Sequence, residues 1–216
     1  VFSPATAVFE ATREMERMGK IAIENLRHSM DALFTMNDRE IQEVYETEDQ
    51  INFLNHAITD YLVKVNQTTI PTEDKKSIGG LFHVVNDIER IGDHAENVAD
   101  AARKRMEDQV EFSPQAKREL SEMLDAVVTI TTYALDMFSH NNQEHMQEIL
   151  DLENKVDRME RELQESHIQR LTRNECTAEA GMMFSDLLSG LERVADHATN
   201  IAFSLTEEDS TDSVKK

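Results

Sequence analysis

E-R-I-G-D-H-A-E-N at residues 89–97 and E-R-V-A-D-H-A-T-N at residues 192–200 are two versions of one phrase. Glu192 follows Glu89 by 103 residues, and Asp196, His197 and Asn200 follow Asp93, His94 and Asn97 by the same interval. Self-similarity at a fixed spacing reports architecture before any single residue does, so the chain reads as two copies of one unit. The residues retained are polar. Packing alone asks for an apolar stripe on each helix, so a locked register of Glu, Asp, His and Asn points to a shared role.

Helix punctuation repeats around the phrase. Phe2-Ser3-Pro4 and Phe112-Ser113-Pro114 each set a Ser N-cap before a Pro at the first helical position. Asn37 with Glu40, and the Asn141-Asn142-Gln143-Glu144 run, resemble capping boxes. Pro71-Thr72 opens a third segment, and Thr172 with Glu175 opens its counterpart. These marks predict six long helices near 4–36, 38–66, 73–105, 114–139, 142–171 and 174–206. Short joints make successive helices antiparallel neighbours.

In the third helix Leu81, Val84, Val85, Ile88, Ile91, Ala95, Val98 and Ala102 form one apolar stripe. In the sixth, Met183, Leu187, Leu191, Val194, Ala198, Ile201 and Leu205 form another, with Met as core filler. The expectation is an all-α fold built as a tandem pair of three-helix bundles. Residues 1–108 form the first repeat, 109–208 the second and 209–216 a disordered tail.

Composition narrows the function. Six Gly, three Pro and no Trp in 216 residues suit long helices. A formal net charge of −21 excludes a phosphate-backbone binder, which needs a basic face, so nucleic acid is not an expected partner. An acidic surface suits cations or a basic protein partner. The lone Cys176 cannot form an internal disulfide, fits a reducing compartment and reads as helix packing. No apolar run approaches the roughly 18 residues of a membrane span, and no signal-peptide pattern opens the chain. A start at Val1 with Ser3-Pro4 already opening a helix predicts a piece of a longer polypeptide.

Glu89 and Asp93 lie four apart on one helix, as do Glu192 and Asp196, so each pair emerges on a single face. Like charges at that spacing cost a few tenths of a kcal/mol on an isolated helix, and a cation between them reverses the sign. Aligning the second helix of each copy sets Glu153 and Asp157 opposite Glu48 and Asn52, with Asp49 beside Glu48 and Asp87 just before Glu89. Two such helices gather oxygen ligands of the kind that hard cations take.

The plainer reading treats the acids as solvated helix faces, and the register-locked duplication weighs against it. His94 and His197 stay open between metal ligands, surface residues and hydrogen-bonding partners of the neighbouring bundle. Arg90 and Arg193 are placed to pair with nearby acids, and Asn97 and Asn200 read as helix-to-helix hydrogen bonders. Catalysis is not expected. Ferritin-like di-iron enzymes use Glu-x-x-His, and none of the eight histidines has Glu three residues before it. Gly-rich phosphate loops and Ser or Cys nucleophile arrangements are missing as well.

D-I-E-R-I-G-D-H-A-E-N-V-A (87–99) and L-E-R-V-A-D-H-A-T-N-I-A (191–202) resemble the paired signature of PhoU-like domains, and the resemblance runs from about Pro4 to about Leu205. It implies two three-helix bundles with E/D-x-x-x-D motifs that bind a multinuclear metal cluster, iron foremost, with other divalent cations as alternatives. Carried onto this chain, the motif falls on Glu89/Asp93, Glu192/Asp196, Glu153/Asp157 and, imperfectly, Glu48/Asn52. Asn52 departs from the acid expected there, with Asp49 as a substitute, so the second half is expected to bind metal better.

The resemblance also implies regulation of phosphate transport without enzymatic activity. The opening S-P-A-T-A-V-F-E-A-T-R-E-M-E-R-M is similar to the stretch after the membrane region of bacterial sodium/phosphate symporters. The expectation is therefore a cytoplasmic domain at the inner membrane, tethered to a phosphate transporter membrane domain, with a second copy of the chain as another candidate partner. The alternatives are a free-standing negative regulator of ABC-type phosphate uptake and its sensor kinase, and a plain helical interaction module without metal.

Overall fold

Six helices account for nearly all of the described chain: α1 (Pro4–Thr35), α2 (Asp38–Asn66), α3 (Thr72–Asp108), α4 (Pro114–His140), α5 (Met146–Thr172) and α6 (Ala178–Asp212). This computed structural model describes the backbone of residues 3–212 and the side chains of residues 3–204. The residues predicted to form the stripes of the third and sixth helices are buried, except that the side chain of Leu205 lies outside the described residues. Among those residues no helix is long and apolar enough to cross a membrane.

Local chemistry sets most helix ends. Asn37 Oδ1 accepts from the backbone N–H of Arg39 (3.0 Å) and Glu40 (3.2 Å), and Ser113 Oγ accepts from Ala116 N–H (3.1 Å). Both are N-caps that satisfy donors the helix itself cannot. The side chain of Glu40 does not close a capping box. It accepts instead from the Thr35 hydroxyl at the end of α1, which clamps the α1–α2 joint.

Two starts differ from the sequence expectation. α5 begins at Met146 rather than near 142, because Asn141 ends α4 in the left-handed region with φ 50°. Asn is one of the few side chains that tolerate that conformation. Asn142 Oδ1 then accepts from Glu144 N–H (3.3 Å) in a turn, so the Asn pair builds a corner. α6 begins at Ala178 rather than near 174. Asn174 takes φ 57°, and Thr177 Oγ1 caps Ala180 N–H (3.1 Å). Thr172 bonds back to Ile168 O (3.0 Å) within α5.

The predicted tail is also corrected, since α6 continues through Asp212. No Pro or Gly follows Gly190 to stop it. Residues 213–216 of that tail, like Val1 and Phe2, lie outside the described residues.

α1, α2 and α3 pack on one another, as do α4, α5 and α6, and the halves meet where α3 lies on α6 and α1 on α4. Equivalent helices therefore face each other across an approximate two-fold. Gly19 makes the α1–α4 approach possible, since a Cβ there would stand 2.6 Å from Leu135 Cδ1. A larger residue there would require the Leu135 side chain to shift.

Arg105 locks the first half. It is 1 % exposed, and its Nε donates to Val110 O (2.8 Å) while Nη1 donates to Leu33 O (2.7 Å). The guanidinium also lies over the Phe112 ring (5.2 Å). It thereby satisfies carbonyls at the end of α1 and in the α3–α4 joint. Arg105→Ala is expected to lower stability by about 3 kcal/mol through stranded carbonyls and a void. A loss of unfolding free energy below about 1 kcal/mol in urea titration would contradict this role.

Candidate metal centre

α3 presents Glu89, Asp93 and Glu96 on one face, at spacings of four and three. α2 lies against that face and brings Glu48, which is only 2 % exposed. Gly92 makes the approach possible. A Cβ there would stand 3.2 Å from Glu48 Oε2 and 3.1 Å from Ile51 Cγ2. Oxygens of Glu48, Asp93 and Glu96 lie within 4.8 Å of one another.

Both Glu48 carboxylate oxygens are buried without a hydrogen-bond partner. The bond open to them is one shared with Asp93, and it requires a proton on one of the two groups. Burial, then Asp93, then the charges of Glu96 and Glu89 push the Glu48 carboxyl up to about 9. Burial and Asp93 also raise Glu89, and Glu96 is raised by burial and by the charges of Asp100, Asp93 and Asp49. An uncompensated buried carboxylate is costly. A proton or a cation must neutralise it, and the oxygen-only donor set fits a hard divalent cation.

The flank of this cluster is fixed. Tyr45 donates its hydroxyl to Asp100 Oδ1 (2.5 Å), and Arg103 stacks over the Tyr45 ring (5.0 Å). Burial and that bond push the Tyr45 hydroxyl up to about 12. Asp49 is exposed and Asn52 half-buried, so Asp49 contributes its charge from the edge while Asn52 brings none.

The second half gathers its acids less tightly. Glu153 and Asp157 on α5, with Glu192 and Asp196 on α6, are all half-buried. Burial, then Asp196, then Asp157 and Glu160 push Glu192 up to about 7. Glu153 is raised by burial and by Asp157 and Asp196. Among the described residues, three oxygens converge within 4.8 Å only in the first half. Ala195 stands where Gly92 stands in the first copy. Glu96 and Glu160 escape the repeat because Thr199 and Asn55 hold the matching places.

The duplicated histidines serve the seam between the halves. His197 Nδ1 lies 3.0 Å from Asp87 Oδ1 on α3. His94 packs against Gly190 on α6, where a Cβ would come within 3.2 Å of its Nδ1. Asp87 and Gly190 are themselves repeat-equivalent positions. Burial, then Arg193 and His197, push His94 down to about 4. A cleft of about 430 Å³ opens beside it, lined by Leu26, Met183, Leu187, Lys104 and Arg193. Arg193 donates to Ser189 O (3.3 Å), and the charge of Arg90 holds down the rise at Glu89. Asn97 and Asn200, read as inter-helix bonders, are exposed, with Asn97 on the rim of the cleft.

The PhoU domain family model matches residues 15–102 and 120–205, and the chain belongs to that family. The phosphate-specific transport system accessory protein PhoU homolog 1 of Thermotoga maritima is 24% identical, over 87% of this chain and 81% of that protein. YjbB of Salmonella typhimurium, a protein named for inorganic phosphate export, is 21% identical over 97% of this chain and 39% of its own length. The crystal structure of PhoU from Pseudomonas aeruginosa superposes with a TM-score of 0.88 at 23% identity, covering 97% of this chain and all of that one. It shows the fold alone.

Acids raised by folding bind their protons more tightly in the native state, so their contribution is complete below the usual carboxylate range and is lost as pH rises. In chelator the melting temperature should fall from about pH 5 upward, first through Glu192 near 7 and then through Glu48 near 9. Glu48→Gln keeps the shape without the charge and should flatten the fall above about pH 7. An unchanged slope in that variant would contradict the buried-acid account.

Proposed function

We propose that this chain regulates phosphate transport as an accessory protein that works by contact, not by catalysis. The observation that carries the reading is the family match across both halves. The Thermotoga protein named above, matched over most of its length, bears a phosphate-transport accessory name, as does a Clostridium acetobutylicum relative of which the match covers 87%. Those coverages favour a free-standing accessory protein of an ABC-type phosphate transporter and its sensor kinase. Tethering to a sodium/phosphate symporter is the second reading. One observation favours it: the match to YjbB takes in 97% of this chain while spanning 39% of that protein.

In either setting the working place is the cytoplasmic face of the inner membrane. The metal-ligand set comprises Glu48, Asp49, Asn52, Glu89 and Asp93 in the first half and Glu153, Asp157, Glu192 and Asp196 in the second. Divalent cations, or a multinuclear cluster with iron as the family resemblance implies, replace the protons that the crowded carboxyls otherwise hold. The bound charge stiffens the α2–α3 and α5–α6 seams, and those seams present the docking face. The unpartnered oxygens of Glu48 support this over a metal-free interaction module. The two halves of the tandem bundle divide near residues 108 and 109.

Deleting the gene and following labelled phosphate uptake in phosphate-replete cells tests the reading. Uptake should stay high where wild-type cells damp it, and a Glu48→Gln, Glu192→Gln double variant should restore damping only weakly. Identical uptake in wild-type and deletion cells would sink the regulatory role. Full damping by a double variant that binds no metal would favour the metal-free module.

A further inference from the structure

The duplicated motif leaves the first half one acid short, because Asn52 stands where Asp157 stands in the second copy. α3 makes up the shortage with a residue that the repeat does not contain. Glu96 lies three residues after Asp93 and seven after Glu89, on the same face, and its repeat-equivalent is Thr199. Thr199 is buried and spends its hydroxyl on Ala195 O (2.9 Å). In the first half a carboxylate at that place brings an oxygen within 4.8 Å of oxygens of Glu48 and Asp93.

Acids in proximity are common on acidic helices, and proximity alone carries nothing. The second observation is Glu48. Its side chain is 2 % exposed, both oxygens lack a partner, and Gly92 leaves a hollow that a Cβ would fill at 3.2 Å from Oε2. A buried acceptor pair facing two further carboxylates is a seat for positive charge.

We propose that Glu96 is a direct ligand of a hard divalent cation in the first half, standing in for the acid absent at Asn52 and completing a three-carboxylate seat with Glu48 and Asp93. The inference rests on the metal-binding reading given above and adds a ligand that the duplicated motif omits. It also makes the halves unequal. The first draws its acids mainly from α3 (Glu89, Asp93, Glu96), the second mainly from α5 (Glu153, Asp157, Glu160). A compact trio suits one ion, whereas the looser second cluster has room for more.

Manganese titrations of the full chain, read by electron paramagnetic resonance, test this in a background of Glu153→Gln, Glu192→Gln and Asp196→Asn, which silences the second cluster. Glu96→Gln should weaken Mn²⁺ binding at least about tenfold, since charge count tunes such sites. Adding Asn52→Asp to that variant should restore most of the loss. Melting in chelator should show Glu96→Gln as stable as its parent or more so, because one of several crowded charges is gone. Unchanged Mn²⁺ affinity in Glu96→Gln, with affinity abolished by Glu48→Gln, would overturn the role of Glu96 while leaving the metal reading intact. Loss on Glu96→Gln without recovery by Asn52→Asp would overturn the substitution claim. Absence of Mn²⁺ binding by the parent would sink the metal reading and this inference together.

Discussion

The Glu48 carboxyl is pressed by helix packing against Asp93, with Glu96 and Glu89 on the same flank and no N–H or hydroxyl donor bonded to it. Packing of α2 on α3 takes Glu48 itself out of water, while Asp93, Glu96 and Glu89 stay half-exposed at its side. Coulomb repulsion grows as the local dielectric falls, so the packed state requires something positive at that point. A proton suffices until pH approaches the raised titration of Glu48 near 9. A divalent cation held by the same oxygens would neutralise it as well.

The tandem arrangement sets each acid cluster close to the seam between the halves. Equivalent helices meet at the middle, so each copy of the motif lies near the other copy's helix. One residue beyond each second acid is a histidine that reaches across the seam, His197 to Asp87 and His94 to Gly190. Each acid pair is thus next door to an inter-bundle contact. The two contacts are unlike, hydrogen-bonded on one side and steric on the other. The acid clusters are unlike too, compact beside α2 and looser beside α5.

Most of the fold was legible because its signals are local. Ser113-Pro114 and Asn37 mark real caps, and the apolar stripes of α3 and α6 are buried where the periodicity put them. Two helix starts were misplaced for a physical reason: Asn serves a left-handed C-cap as readily as an N-cap, and Asn141 and Asn174 took the former role. Repetition singled out Glu48, Glu89 and Asp93, and the structure brings oxygens of Glu48 and Asp93 together with Glu96. What repetition hides is difference. Glu96, Glu160 and Gly92 matter because their counterparts are Thr199, Asn55 and Ala195, and a search for sameness passes over them. Arg105 was invisible for another reason. A charged residue near a helix end reads as solvated, and only tertiary packing reveals that its partners are backbone carbonyls of α1 and the α3–α4 joint.

The central claim is that the crowded carboxyls hold protons until a divalent cation replaces them. Calorimetric titration of Mn²⁺ into chelator-stripped protein at pH 7, repeated in buffers of different ionisation enthalpy, counts the protons set free. The account predicts release of about one proton for each cation taken up beside Glu48. Cation uptake with no proton release would mean that Glu48 was already ionised, and would contradict it.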